Sequence, residues 1–127
     1  MNLKTIFKRL ILLDLLVIIL MVVSIFFESE EVRRFNESSE QVSNMIFALF
    51  GILMLVYLIN LFLLYRFISI GKQMYLIVFI LGTIFSLIGG ATAYDPWHSV
   101  IDGLGWSVSG AILVLLYFSP IKKEFEK

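Results

Sequence analysis

The sequence contains no cysteine. Disulfide bridges, thiolate metal sites and cysteine nucleophiles are thereby excluded. It contains one histidine, His98, so a metal site built from several histidines is excluded as well. Charge is also scarce. Charged residues make up 16% of the 127, the ten basic and ten acidic residues cancel, and they fall in short clusters with no basic stripe. No nucleic-acid partner is expected, because holding a phosphate backbone needs a concentrated positive surface. Catalytic signatures are missing too. The Gly89-Gly90 pair belongs to neither a P-loop nor a dinucleotide fingerprint. No nucleophile elbow surrounds Ser99 or Ser107, and there are neither clustered metal ligands nor a paired acid and base. Neither an enzymatic activity nor a cofactor is expected.

Apolar residues fill the place of what is absent. They make up 60% of the chain, against roughly 45–50% in soluble domains. A soluble domain this small could not hide so much apolar surface in one core, so the surplus must face lipid or partner chains. Four apolar stretches stand out, at about 10–27, 42–65, 73–94 and 97–119, with a polar loop at 28–40. A helix needs about 20 residues to cross ~30 Å of hydrocarbon. The first three stretches meet that alone. The fourth does so only if the Gly- and Ser-rich segment 100–110 belongs to the same helix. Asp95-Pro96 reads as its start and Ser119-Pro120 as its end. The rival reading is a short interfacial helix over 95–103 followed by a short, tilted span. Lys4, Lys8 and Arg9 before the first stretch suggest a signal peptide, but the run is too long and "SIFFESE" offers no small-x-small cleavage site. It reads as a retained helix.

The expected architecture is therefore a single all-α membrane domain over 1–127, a four-transmembrane-helix bundle running up-down-up-down, since short connections force neighbouring helices antiparallel. Eight of the ten basic residues (Lys4, Lys8, Arg9, Arg66, Lys72, Lys122, Lys123 and Lys127) flank one side, leaving Arg33 and Arg34 on the other. The positive-inside bias puts both termini in the cytoplasm, and the expected home is a bacterial inner membrane. Tyr65, Tyr75 and Tyr117 would mark the inner interface, Tyr94 and Trp97 the outer one. In the loop, Glu30 can pair with Arg34 at helical spacing. Ser38 and Gln41 form a candidate capping box. The first helix is expected to project a turn or two beyond the lipid.

Inside a bilayer, helices associate by close packing and interhelical hydrogen bonds. Gly82, Ser86 and Gly90 on the third span, and Ser99, Gly103 and Ser107 on the fourth, each recur every four residues. The two ridges are expected to pack together. An ionisable group costs roughly 2.5–3.5 kcal/mol at the bilayer centre, so each needs a reason. Asp14 and Asn60 both lie about 8–9 Å inward from flanking basic residues. The plain reading is an Asp14–Asn60 hydrogen bond, helped by Arg66, that fixes register. The functional one is an ion- or proton-handling site. His98 and Asp102 share one helical face, with Asp95 a turn before. There the plain reading is a polar cap in which Asp95 caps the helix and His98 and Asp102 satisfy each other, and the functional one a proton relay or pH sensor. The expected function is helix-mediated contact with itself or other membrane proteins, in an accessory, assembly or immunity-type role. The alternative is an oligomeric small-ion or proton transporter. The partners are then the lipid bilayer and a second copy or another membrane protein.

Overall fold

The computed structural model describes residues 2–38, 44–89 and 92–126. Among these every regular element is helical: α1 (Leu3–Ile25), α2 (Glu30–Ser38), α3 (Asn44–Tyr65), α4 (Ser69–Ile88), α5 (Pro96–Phe118) and a terminal 3₁₀ turn (Pro120–Phe125). Three stretches are long and apolar enough to cross a membrane: Ala48–Tyr65, Ser69–Ile88 and Pro96–Phe118. The α1–α2 pair makes a fourth candidate, bent by 86° at the break between its helices. The segment 100–110 is helical throughout, so α5 is one continuous helix and the interfacial-helix alternative is set aside.

Two connections differ from expectation. α1 does not project as an extension. The amides of Phe26 and Phe27 bond back to Val23 and Ser24 in a tight turn, and α2 then starts in a new direction. Ser29 begins it, its hydroxyl accepting from the Val32 amide at 3.4 Å. Within α2 the Glu30–Arg34 pair forms at 3.7 Å. Gln41, and with it the capping-box reading, lies outside the described residues. The second difference is that α4 begins at Ser69 and ends at Ile88, earlier at both ends than 73–94. A three-residue turn explains the early start. Phe67 adopts a left-handed conformation (φ 57°), and the amides of Phe67 and Ile68 bond to the carbonyls of Leu64 and Leu63. This is the helix-ending motif that usually takes glycine.

A phenylalanine stands there because its ring is needed. Phe67 lies 5.8 Å from the Phe7 ring and 5.4 Å from the Phe125 ring. Phe125 belongs to the 3₁₀ turn, which Ser119 starts by accepting from the Ile121 amide at 3.2 Å. The segment 119–126 is therefore part of the packed end of the bundle. It folds back, buries Ile121 and Phe125, and ties Lys4 to Glu124 at 2.8 Å. Lys8 lies over the rings of Tyr65 and Phe67.

Around the bundle α1 touches α5 and α3, and α4 touches α3 and α5. The core is lopsided. Its buried apolar side chains (Phe7, Ile11, Leu61, Leu64, Tyr75, Ile112, Leu116, Ile121, Phe125) gather toward the end that carries the termini. Among the described residues, α3 before Asn60, α4 after Val78 and α5 before Val108 contain no buried residue.

Replacing Phe67 with glycine relieves a left-handed strain of about 1–2 kcal/mol but removes the ring between Phe7 and Phe125. Packing should outweigh strain, giving a net loss of about 1–3 kcal/mol in detergent-solubilised unfolding. A gain in stability would show the aromatic cluster to be incidental.

Candidate functional site

The feature that most needs a reason is a polar layer inside the closed half. Phe7, Ile11, Asp14 and Val17 recur at helical spacing, so Asp14 lies on the buried face of α1 and is only 2% exposed. On α3, Tyr57 and Asn60 stand three residues apart on one face, and Asn60 is fully buried. α4 buries Gly71, Tyr75 and Val78. α5 buries Val108, Ser109, Ile112 and Leu116. Each long helix thus supplies one or more members of the layer.

The Tyr57 hydroxyl donates to Asp14 Oδ2 at 2.5 Å. It also lies 3.2 Å from the Tyr75 hydroxyl and 3.2 Å from Ser109 Oγ. A hydroxyl has one proton to give. Because Tyr57 gives its proton to Asp14, Tyr75 must be the donor toward Tyr57. Ser109 donates to Asp14 Oδ1 at 3.5 Å. The protons therefore run Tyr75 to Tyr57 to Asp14, with Ser109 arriving from α5. Asn60 joins by its backbone partners. With its amide oriented to satisfy both ends, it donates to the Gly71 carbonyl and accepts from the Tyr75 amide, each at 2.9 Å.

This corrects the expected Asp14–Asn60 bond. The two residues share a layer, but each is satisfied by other groups, and Tyr75 connects them. Arg66 takes no part: it is exposed, with its guanidinium over the Phe62 ring at 5.5 Å. Tyr75 is not an interface marker, being fully buried. Tyr57, Tyr75 and Ser109 join the site without any motif in the sequence that marks them. The available signal was spacing: Tyr57 falls one turn before Asn60, and Ser109 on the stripe continued by Ile112 and Leu116.

The polar residues at the far end also pair differently from expectation. Asp95 stands at the N-cap of α5, but its side chain makes no bond to the first turn. It reaches across to accept from the Ser29 amide at 2.9 Å. His98 Nδ1 lies 2.5 Å from Ser24 Oγ, and the Ser24 hydroxyl lies 2.6 Å from the Met21 carbonyl. A carbonyl can only accept, so with both bonds made Ser24 donates to Met21 and His98 carries its proton on Nδ1. Tyr94 stacks on the imidazole, with ring centres 4.6 Å apart. Among the described residues, no hydrogen bond or ion pair joins Asp102 to His98. Asn36 completes this clasp. It donates to the Ala93 carbonyl at 3.2 Å and accepts from the Ala93 amide at 3.0 Å.

The small-residue ridges do not form the expected seam. Ser86, Ser99, Gly103 and Ser107 are exposed, and a Cβ on Gly82 or Gly103 would meet nothing within 4 Å. Gly90 lies outside the described residues. The serines satisfy themselves within their helices, Ser86 on Gly82 and Ser107 on Gly103. α4 and α5 meet instead through large side chains, Phe79 edge-on to Trp106 at 5.5 Å and Tyr117 donating to the Lys72 carbonyl. Close approach occurs elsewhere. A Cβ on Gly71 would lie 3.0 Å from Leu63 Cβ on α3, and one on Gly105 would lie 3.3 Å from Val17 on α1.

No buried side-chain donor or acceptor among the described residues lacks a partner. No group of three or more histidine and acidic residues converges among them. Chemically the layer is a self-satisfied hydroxyl–carboxylate network tying four helices together. Comparison with protein-family models, curated proteins and solved structures finds no match to this chain.

A double-mutant cycle should separate the true partners from the expected ones. Asp14→Ala and Tyr57→Phe should couple by about 0.5–2 kcal/mol in micellar unfolding. Asp14→Ala and Arg66→Ala should add. A coupling as large between Asp14 and Arg66 would contradict the layer. At the far end, the imidazole nitrogen resonances of neutral His98 should show the proton on Nδ1, and Ser24→Ala should release that preference.

Proposed function

We propose that this chain is an integral membrane protein of four spans, running up-down-up-down with both termini in the cytoplasm, and that it acts by binding other helices within the bilayer of a bacterial inner membrane. Its role would be accessory, assembly or immunity-type, with a second copy or another membrane protein as partner. The observation that carries this reading is the open half of α3 and α4. Beyond Asn60 and Val78 the two helices leave a groove of about 300 Å³, lined by apolar side chains that include Leu49, Leu53, Val56, Ile77, Leu81 and Phe85. Such a groove can take projecting side chains of an apolar helix, whose association in lipid rests on close packing. The excess of basic residues flanking the terminal end supports the orientation.

A buried carboxylate supports a second reading, an oligomeric small-ion or proton transporter. The layer weighs against it, because its donors and acceptors are occupied by one another. Two measurements decide. Leu53→Trp and Leu81→Trp, which fill the groove, should abolish association with the partner or second copy in native membranes. Val114→Trp, on an exposed face of α5, should leave association intact. Association unaffected by either groove change would refute the docking reading. Proton or small-ion flux in liposomes that disappears in Asp14→Asn would favour the transporter.

A further inference from the structure

The segment left over from both the core and the groove is α2. It meets α1 at 86°, so if α1 crosses the bilayer, α2 runs along its surface. This argument rests on the membrane reading above. On the helical wheel Val32 stands at the centre of one face, with Phe35 and Asn36 on either side, while Glu30, Arg33, Arg34 and Glu37 occupy the opposite face. Asn36 is held by Ala93 and Ser29 by Asp95, which fixes the helix against the rest of the protein. Phe35 remains 49% exposed. The turn that leads into α2 exposes Phe26 and Phe27 at 78% and 71%, and Val22, Val23 and Ile25 are exposed at the end of α1. Exposed apolar side chains therefore stand on the side of α1, at the bend and, after the polar residues Glu28 to Glu31, at Phe35 on α2.

We propose that α2 lies flat in the interfacial zone of the bilayer's outer leaflet, with Val32, Phe35 and the Phe26–Phe27 turn set into the boundary between headgroups and acyl chains. Amphipathic helices of this kind bury their apolar face about 5–10 Å into that boundary. The polar face carries both signs of charge, so α2 recognises the lipid interface itself and needs no anionic lipid. The Asn36–Ala93 and Asp95–Ser29 bonds set its depth by fixing it to the start of α5.

Because the chain has no cysteine, the test needs only single substitutions. Phe35→Cys, Arg34→Cys and Leu55→Cys each take a nitroxide label in phosphatidylcholine vesicles, and the label's accessibility to oxygen and to a water-soluble nickel chelate is read. Leu55 is exposed on the middle of α3 and reports on the membrane reading alone. The expected result is a Phe35 label with an oxygen-to-nickel ratio severalfold above that of Arg34, at a depth of about 5–10 Å, with Leu55 deeper still. A Phe35 label as open to nickel as Arg34, with Leu55 in lipid, overturns the proposal and leaves the membrane reading standing. A Phe35 label shielded from both reagents overturns it too, since a second copy would then cover the face. A Leu55 label in water overturns both.

Discussion

A carboxylate in an apolar bundle has to be surrounded by donors, and the structure is organised around meeting that requirement at Asp14. Tyr57, Ser109 and, through Tyr57, Tyr75 converge on it from three other helices. A burial cost of this size would expel the side chain if the donors were misplaced by a turn. The layer therefore sets register: α1 cannot slide on α3 or α5 without losing its acceptor's partners. Asn60 does the same for α3 and α4 by reading the backbone of Gly71 and Tyr75. Gly71 makes that possible, since any larger residue would push Leu63 away.

The terminal end closes this layer off. Phe7, Phe67 and Phe125 come from three distant parts of the sequence and meet beneath it. The strained backbone at Phe67 is offset by what its ring gains there. The positive residues serve twice at this end: Lys4 pairs with Glu124, and Lys8 covers the rings of Tyr65 and Phe67. Charge placement that reads as orientation along the sequence also seals the bottom of the bundle.

The helical content and the candidate spans were legible because apolar run length is a local property of the sequence. That Asp14 and Asn60 need polar partners was legible too, because each interrupts such a run. Their partners were not. Tyr57 and Tyr75 resemble ordinary interface tyrosines until the helices are docked, and Ser109 resembles any small residue in a Gly- and Ser-rich helix. The spacing of Gly82 and Ser86, or of Gly103 and Ser107, was a poor guide. A narrow ridge permits close approach but does not compel it, and here larger interactions, the Phe79–Trp106 contact and the polar layer, decided which faces turn inward. The bend after Ile25 was invisible as well, because Glu30 to Ser38 continues helical propensity, and the contacts of Ser29 with Asp95 and of Asn36 with Ala93, which show where the new helix is held, appear only in the folded chain.

The two ends of the molecule therefore have different physical characters. At the terminal end, aromatic packing, ion pairs and buried hydroxyls leave little unsatisfied. At the far end, the clasp formed by Ser24, His98, Asp95 and Asn36 holds backbone and helix ends while the apolar sides of α3 and α4 stay uncovered. In the docking proposal the packed half serves as the base and the open half as the surface. Clasp bonds at helix ends restrain where α2 and the start of α5 sit, yet fill none of the groove between α3 and α4. A helix entering that groove would meet apolar side chains on walls already fixed from below by Asn60 and Gly71. Its binding would then cost little reorganisation of the protein, which is the condition under which packing alone can hold helices together in lipid.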